Sequence, residues 1–207
     1  MAVITALAPQ RRHPDRVSLF VDGRFVVGLS ADVAASLGLA VGADVSAEDV
    51  ETAVRAAELD RAVHRALLYL RSRPRSRREF ERRLARYGYE PPVVEAVVAL
   101  LAERRLCDDA AFARAWIRDR LALKPKGRRA LRAELAARGV AAEDVEAALR
   151  DEFTEAEEEL ARRAAEARRD AFRARGEKRG RAALLAFLAR RGFSAAIAGR
   201  LADEIFH

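Results

Sequence analysis

The sequence predicts a mainly α-helical protein built from three tandem three-helix repeats, preceded by a small N-terminal module that contains a β-hairpin. Three observations carry this. Gly88, Gly139 and Gly192 each close a copy of one pattern. Phe80, Leu131 or Leu184 stands eight residues before the glycine, Leu84, Leu135 or Leu188 four before, and Tyr89, Val140 or Phe193 follows it. The glycines are 51 and 53 residues apart, and a period of this size means stacked units that bury a shared core. The composition agrees: 51% of the 207 residues are hydrophobic by the broad count, aromatics are sparse, and alanine fills the gaps, as suits closely packed helices. The first 46 residues differ, being rich in strand formers around a turn signal.

Taken in order, residues 2–8 and 17–21 are strand segments, and Asp22-Gly23 is a strong short hairpin signal before a returning strand over 24–29. Ser30 caps a short helix that Gly38 ends. Ser46 closes the module, 1–46, and caps a helical stretch with acids in its first turn. Residues 47–58 are then a helical connection, and the pattern runs on to about Leu70. The first repeat, 59–105, has helices over 62–70, 77–87 and 92–103. Pro91-Pro92 suits a helix start, where a missing N–H does no harm. The second, 106–154, has helices over 109–123, 127–138 and 142–153, with Phe112 and Trp116 on one face. The third, 155–207, has helices over 155–175, 180–191 and 194–205. The first of these is mostly charged, with Leu160 and Phe172 as its few apolar anchors, and reads as a long solvated helix or a partly mobile segment. Glu158 with Arg162 and Glu159 with Arg163 are spaced to support it.

The net charge is +7, and 36 of the 39 basic side chains are arginine. By segment the net is −3 over 1–58, +6 over 59–105, 0 over 106–155 and +4 over 156–207. A GC-rich genome also favours arginine and alanine, so the excess alone does not decide a partner. No apolar run approaches the ~20 residues needed to span a bilayer, and the first residues lack the pattern of a signal peptide. The single cysteine, Cys107, excludes an intrachain disulfide and argues against a cysteine-rich metal site. These features fit a cytoplasmic protein.

No residue nominates itself as catalytic, and no cofactor or metal is expected. His13, His64 and His207 have no ligand partner at short helical spacing, and His64 reads as a surface or packing residue. Gly127-Arg128-Arg129 lacks the loop, lysine and hydroxyl of a phosphate-binding loop. Asp108-Asp109 is a conceivable divalent-ion pair, but one of the two more simply caps the next helix. Cys107 sits beside these acids, which disfavour a thiolate.

The basic constellations are more informative. Arg71, Arg73, Arg75, Arg77 and Arg78 fall within eight residues, and Arg82, Arg83 and Arg86 continue on the next helix. Pro74 breaks the preceding helix, so these arginines cluster at a corner. Ser76 caps the next helix with Glu79 in the box position, and N–H groups at that helix start would suit a phosphate. Lys124, Lys126, Arg128, Arg129 and Arg132 occupy the corresponding corner of the second repeat. Arg173, Arg175, Lys178, Arg179 and Arg181 occupy that of the third. For one corner, solvated charge is the simpler account. Recurrence at three corners points to an acidic partner, either nucleic acid or a protein surface. No aromatics are interleaved with these cations, which favours backbone contacts without sequence preference.

Several of these residues together resemble the RecX family, regulators of the RecA recombinase. They are Ala66-Leu67-Leu68-Tyr69-Leu70, Arg73-Pro74-Arg75-Ser76, Leu84 with Gly88-Tyr89, and Leu106-Cys107-Asp108-Asp109-Ala110-Ala111-Phe112-Ala113. Trp116-Ile117, Lys126-Gly127 and Glu134-Leu135 before Gly139-Val140 follow. The resemblance covers about residues 60–150 firmly and the third repeat more loosely, and the N-terminal module also looks like one found in this family. Cys107 and the charged stretch near 155–175 depart from it. The resemblance implies an elongated, curved molecule that binds the RecA filament on DNA. It implies modulation, usually inhibition, of filament growth, strand exchange and the repressor cleavage of the SOS response, without catalysis. The expected partners are the RecA filament and single- or double-stranded DNA, with no membrane, and the expected state is a monomer. The competing readings are a general, sequence-independent DNA-binding helical-repeat protein and, behind it, a metal-assisted enzyme using Asp108 and Asp109.

Overall fold

The structure is a computed structural model that describes residues 2–206, so His207 lies outside it. The chain forms two compact units: residues up to 74 with 80–106, and residues 75–79 with 107 onward.

The first unit begins with strands β1 (Ala2–Gln10), β2 (His13–Val21) and β3 (Arg24–Ser30) and the two-residue β4 (Asp44–Val45). The sheet is antiparallel, in the order β3-β2-β1-β4. Asp22 and Gly23 both take positive φ, 48° and 74°, as the right-handed twist of two paired strands requires of a two-residue turn. Ser30 accepts from the Val33 amide and starts α1 (Ala31–Ser36). Ser46 and Asp49 form a reciprocal capping box at the start of α2 (Ala47–Leu70), and these bonds hold the Asp49 carboxyl below its ordinary value.

Helix α2 is one continuous 24-residue element with two tasks. Its first half lays Ala53 and Ala57 into the core made by Ile4, Leu19 and Leu29 of the sheet. Its second half buries Ala62 and Ala66. There it packs with α4 (Pro91–Glu103), and Tyr69 meets the edge of Phe80 on α3 (Arg77–Arg86) at 6.0 Å. Alanine at each inward position lets the helix approach its neighbours closely.

The second unit contains α5 (Asp109–Leu123), α6 (Arg128–Ala137) and α7 (Ala142–Glu152), then α8 (Glu157–Glu166), α9 (Arg169–Arg173), α10 (Glu177–Arg190) and α11 (Ala195–Phe206). One core runs through both sets, from Phe112, Ile117, Leu131 and Leu135 to Leu160, Leu184, Leu188 and Leu201.

The repeated leucine–glycine pattern now has a cause. Gly88, Gly139 and Gly192 take φ of 85°, 79° and 84°. Each following amide (Tyr89, Val140, Phe193) donates to the carbonyl of the leucine four before the glycine, and each glycine amide donates to an alanine carbonyl three back. This double bond pattern ends a helix in a left-handed residue and folds the next apolar side chain back onto that leucine.

One expectation is corrected. Residues 155–175 are not a single helix: α8 ends at Glu166 and α9 restarts at Arg169. The stretch is not short of anchors either, since Ala161, Ala164 and Ala165 are buried beside Leu160. The break lets Phe172 reach Phe187 on α10, ring centroids 5.4 Å apart. Nor do Glu158 and Arg162 pair along the helix. Glu158 holds Arg200 at 2.7 Å and Arg162 holds Glu204, both on α11. These exchanges raise the two arginine pKa values and lower the two glutamate ones, chiefly through the hydrogen bonds. No helix among the described residues is long and apolar enough to cross a membrane.

Candidate nucleic-acid interface

The first basic corner is a joint. Ser76 is fully buried at the start of α3. Its Oγ accepts from the Glu79 amide at 3.3 Å and donates to the Arg138 carbonyl at 2.7 Å, while its amide donates to Glu79 Oε2. The Arg77 amide donates to Asp109 Oδ1 at 2.8 Å. The helix start expected to offer N–H groups to a phosphate is therefore occupied by a carboxylate of its own chain. These bonds explain why residues 75–79 belong to the second unit rather than the first.

The second corner repeats the construction. Gly127 stands where Ser76 does, four residues before the buried Leu131. Its amide donates to the Arg191 carbonyl at 2.9 Å, and the Arg128 amide donates to Glu157 Oε1 at 3.0 Å. In both joints a helix start takes an acid from the opening of the next helix set and bonds to the carbonyl just before the closing glycine. That glycine must be bare: a Cβ on Gly192 would lie 2.5 Å from the Ala130 amide nitrogen, and one on Gly139 would strike the Arg78 side chain.

The third corner is built differently. Gly180 holds the matching position, but α10 starts a turn earlier, at Glu177. A Cβ on Gly180 would strike the Phe172 carbonyl oxygen and the Phe206 ring. Helix α11 thus covers this position with the Phe206 ring.

The predicted site residues divide accordingly. Arg128 bonds the Phe153 carbonyl at 3.1 Å and lies 4.2 Å over the Phe153 ring, closing the end of α7. Arg129 reaches the Ala189 carbonyl at 3.3 Å, Arg132 pairs with Glu146 at 2.5 Å, and Arg181 pairs with Asp203 at 2.5 Å. Lys126 is bound to Glu134. Arg73 folds back onto the Pro74 carbonyl at 2.9 Å, and Arg75 is half-buried while Arg77 is exposed. Arg71, Arg78, Arg82, Lys124, Arg175, Lys178 and Arg179 are exposed on the surface. Beside the second joint lies an open hollow of about 780 Å³, with Arg129 and Arg132 on one side and Leu185, Phe193 and Ala198 on the other.

Glu134 is the densest charge centre. It accepts from Trp116 Nε1 at 2.9 Å and from Arg120 at 3.3 Å, besides Lys126. Burial pushes its carboxyl up. The bonds from Lys126 and Trp116 and the charges of Lys126 and Arg120 outweigh that and hold it below the ordinary carboxylate range. The Trp116 ring carries the guanidiniums of Arg120 at 3.9 Å and Arg138 at 3.8 Å. Arg65 and Arg83 likewise lie 4.6 and 4.8 Å from the centre of the Tyr87 ring. Aromatics therefore do stand among the cations. They were legible only as pairs four apart, Arg83 with Tyr87 and Trp116 with Arg120, because the other partners come from different helices.

Asp108 and Asp109 serve two different helix starts. Asp108 Oδ1 accepts from the Ala111 amide at 2.8 Å at the head of α5, while Asp109 holds α3. No group of three or more metal-ligating side chains forms among the described residues. Cys107 is a buried free thiol.

Three family models match this chain: the RecX N-terminal domain over residues 2–46, the first RecX three-helix domain over 62–101 and the second over 108–149. A Regulatory protein RecX from Thermobifida fusca is 39% identical over 131 residues, 63% of this chain and 71% of that protein. The chain belongs to the RecX family. A RecX from Halalkalibacterium halodurans is 37% identical over 153 residues, and the match takes in 72% of this chain but only 58% of that relative's length. A crystal structure of a regulatory protein RecX superposes with a TM-score of 0.77 over 98% of this chain and all of the other, at 24% identity. RecX from Lactobacillus salivarius gives 0.59 over 72% of this chain and 96% of its own, at 20% identity. These two establish the shared fold, and the first carries the RecX architecture into the helices beyond residue 149.

Proposed function

We propose that this chain is a non-enzymatic cytoplasmic regulator of the RecA recombinase. It acts as an inhibitor by lying along the RecA–DNA filament as a monomer. There it restrains filament growth, ATPase, strand exchange and co-protease activity. The repeats at 59–105, 106–154 and 155–207 are its contact units. The observation that supports this most is the joint built twice from the same parts, at Ser76 and at Gly127. The two joints are built alike, and a repeated unit suits a partner that is itself regular. The exposed cations at Arg71, Arg78, Arg82, Lys124, Arg175, Lys178 and Arg179 are the contacts to filament acids or DNA phosphates.

The test is RecA ATPase on single-stranded DNA with this protein titrated in from substoichiometric amounts, beside its binding to the same DNA alone. Loss of ATPase well below the concentration that coats bare DNA is expected. Loss only at coating concentrations would replace this reading with that of a general DNA-binding helical repeat. Glutamate at Arg71, Arg78 and Arg82 together is expected to raise the inhibitory concentration at physiological salt while leaving the melting temperature in place. Unchanged inhibition would remove these residues from the interface.

A further inference from the structure

The first unit carries a groove that shares Arg83, alone of the corner arginines, with the first basic corner. Two hollows of about 560 and 500 Å³ share His64 and Arg65 on α2 and so form one track. The track starts at Phe25 and Arg16 on the sheet and ends at Arg83 on α3 and Tyr87 just beyond it. Its floor follows from helix geometry. Arg61, His64, Arg65 and Leu68 recur at three and four residues and share one face of the helix, with Ser72 in the turn just beyond it, while Ala62 and Ala66 are buried.

The track is basic and has flat apolar surfaces exposed at both ends. Four arginines (Arg16, Arg61, Arg65, Arg83) line it against two aspartates, of which Asp60 is held by Arg16 at 2.8 Å and Asp15 is exposed. Phe25 is 61% exposed, Leu68 49% and Tyr87 41%. At the Tyr87 end two like charges converge on one ring, and Arg83 also lies 5.3 Å from the centre of Tyr69. Neither Arg65 nor Arg83 has a carboxylate partner among the described residues, and Arg83 Nε is buried without a bond. Two guanidiniums gathered without a counter-ion form a seat that a phosphate completes, since each presents a planar fork of donors to its oxygens.

We infer that this groove binds single-stranded nucleic acid, with phosphate on Arg65 and Arg83 and bases stacked against the side chains of Tyr87 and Phe25. A cationic track combined with aromatic stacking surfaces is the chemistry that single strands use. A duplex keeps its base faces inside its own stack and has no use for exposed rings. An acidic peptide would satisfy the arginines but leave Phe25 and Tyr87 without a role. The inference goes beyond the filament reading, because the ligand is the bare strand and, Arg83 apart, the site uses none of the corner arginines.

The experiment measures binding of the full chain to fluorescent oligo-dT, to a duplex of equal length and to an abasic deoxyribose-phosphate strand, by anisotropy. The Tyr87→Leu variant is expected to weaken oligo-dT binding about tenfold, the loss of one stacked base, and to leave the abasic strand unaffected. The double variant Arg65→Ala, Arg83→Ala is expected to weaken both single strands. Phe25→Ser serves as a second stacking variant on a different element, and melting curves show that each variant folds. Oligo-dT binding unchanged in Tyr87→Leu and Phe25→Ser, equal loss on the abasic strand, or tighter binding of duplex would overturn the inference. RecA ATPase on the same variants keeps the two readings apart. The groove fails on oligo-dT whatever the ATPase does, and the filament reading fails if the unaltered protein leaves ATPase untouched.

Discussion

Glu134 shows how one part-buried carboxylate ties neighbouring helices together. Its carboxylate ties together Trp116 and Arg120 of α5 and Lys126 of the following turn, all reaching back to α6. Its folded carboxyl lies below the ordinary value of 4.5. A depressed carboxyl contributes stability that is present above the unfolded pKa and is lost as pH falls through the folded one. Glu134→Gln keeps the shape and removes the charge. It is expected to cost about 2 kcal/mol near neutral pH, the scale of a charge-assisted hydrogen-bond centre, measured by urea unfolding. The gap from the unaltered protein should close as pH falls below 4.5. A gap that stays constant into acid would mean that Glu134 acts by packing alone. The Lys126–Glu134 pair also shows what the sequence hides. A basic run reads as one surface patch, but Lys126 and Arg128 are part-buried on specific acceptors and Arg132 and Arg181 pair with acids at the surface, and the acceptors lie elsewhere in the chain.

At the scale of elements, the helix ends were the most legible feature. The leucine–glycine–apolar pattern is local, and each copy becomes the same left-handed turn. The caps at Ser30, Ser46 and Ser76 were legible for the same reason. The short strand β4 and the division of α8 from α9 were not. The former is two residues held by distant β1. The latter depends on buried alanines, which propensity counts as good helix formers anywhere. The joints were invisible too, because Asp109 and Glu157 meet helix starts 32 and 29 residues away. They separate two glycines that look alike in sequence. Gly88→Ala places a Cβ in open space, so only the left-handed strain remains, about 1–2 kcal/mol. Gly192→Ala adds a collision with the backbone at Ala130, which cannot swing aside. The second variant is expected to lose clearly more stability in thermal melts. Equal losses would mean that the joint at Gly127 opens without cost.

Over the whole molecule, the net charge of +7 does not measure the surface available to a polyanion. The cations fall into those that close the fold and those that face solvent, and the two classes make opposite predictions. Arg175, Lys178 and Arg179 are exposed at the start of α10, where the Phe206 ring of α11 covers Gly180. Replacing all three with serine should leave the melting temperature unchanged. Each cation that meets a phosphate releases counter-ions when it binds, so the slope of log affinity against log salt should flatten by roughly 0.7 to 0.9 for every phosphate that is no longer neutralised. Replacing Lys126 and Arg128 with serine should do the reverse, because those side chains hold Glu134 and the end of α7. The melting temperature should fall, with little change in slope measured well below it. If the exposed triple leaves the slope intact, the third helix set neutralises no phosphate. The positive potential used in binding then belongs to residues 59–105, where the net charge is +6 and which supply Arg65, Arg83 and Tyr87 to the groove.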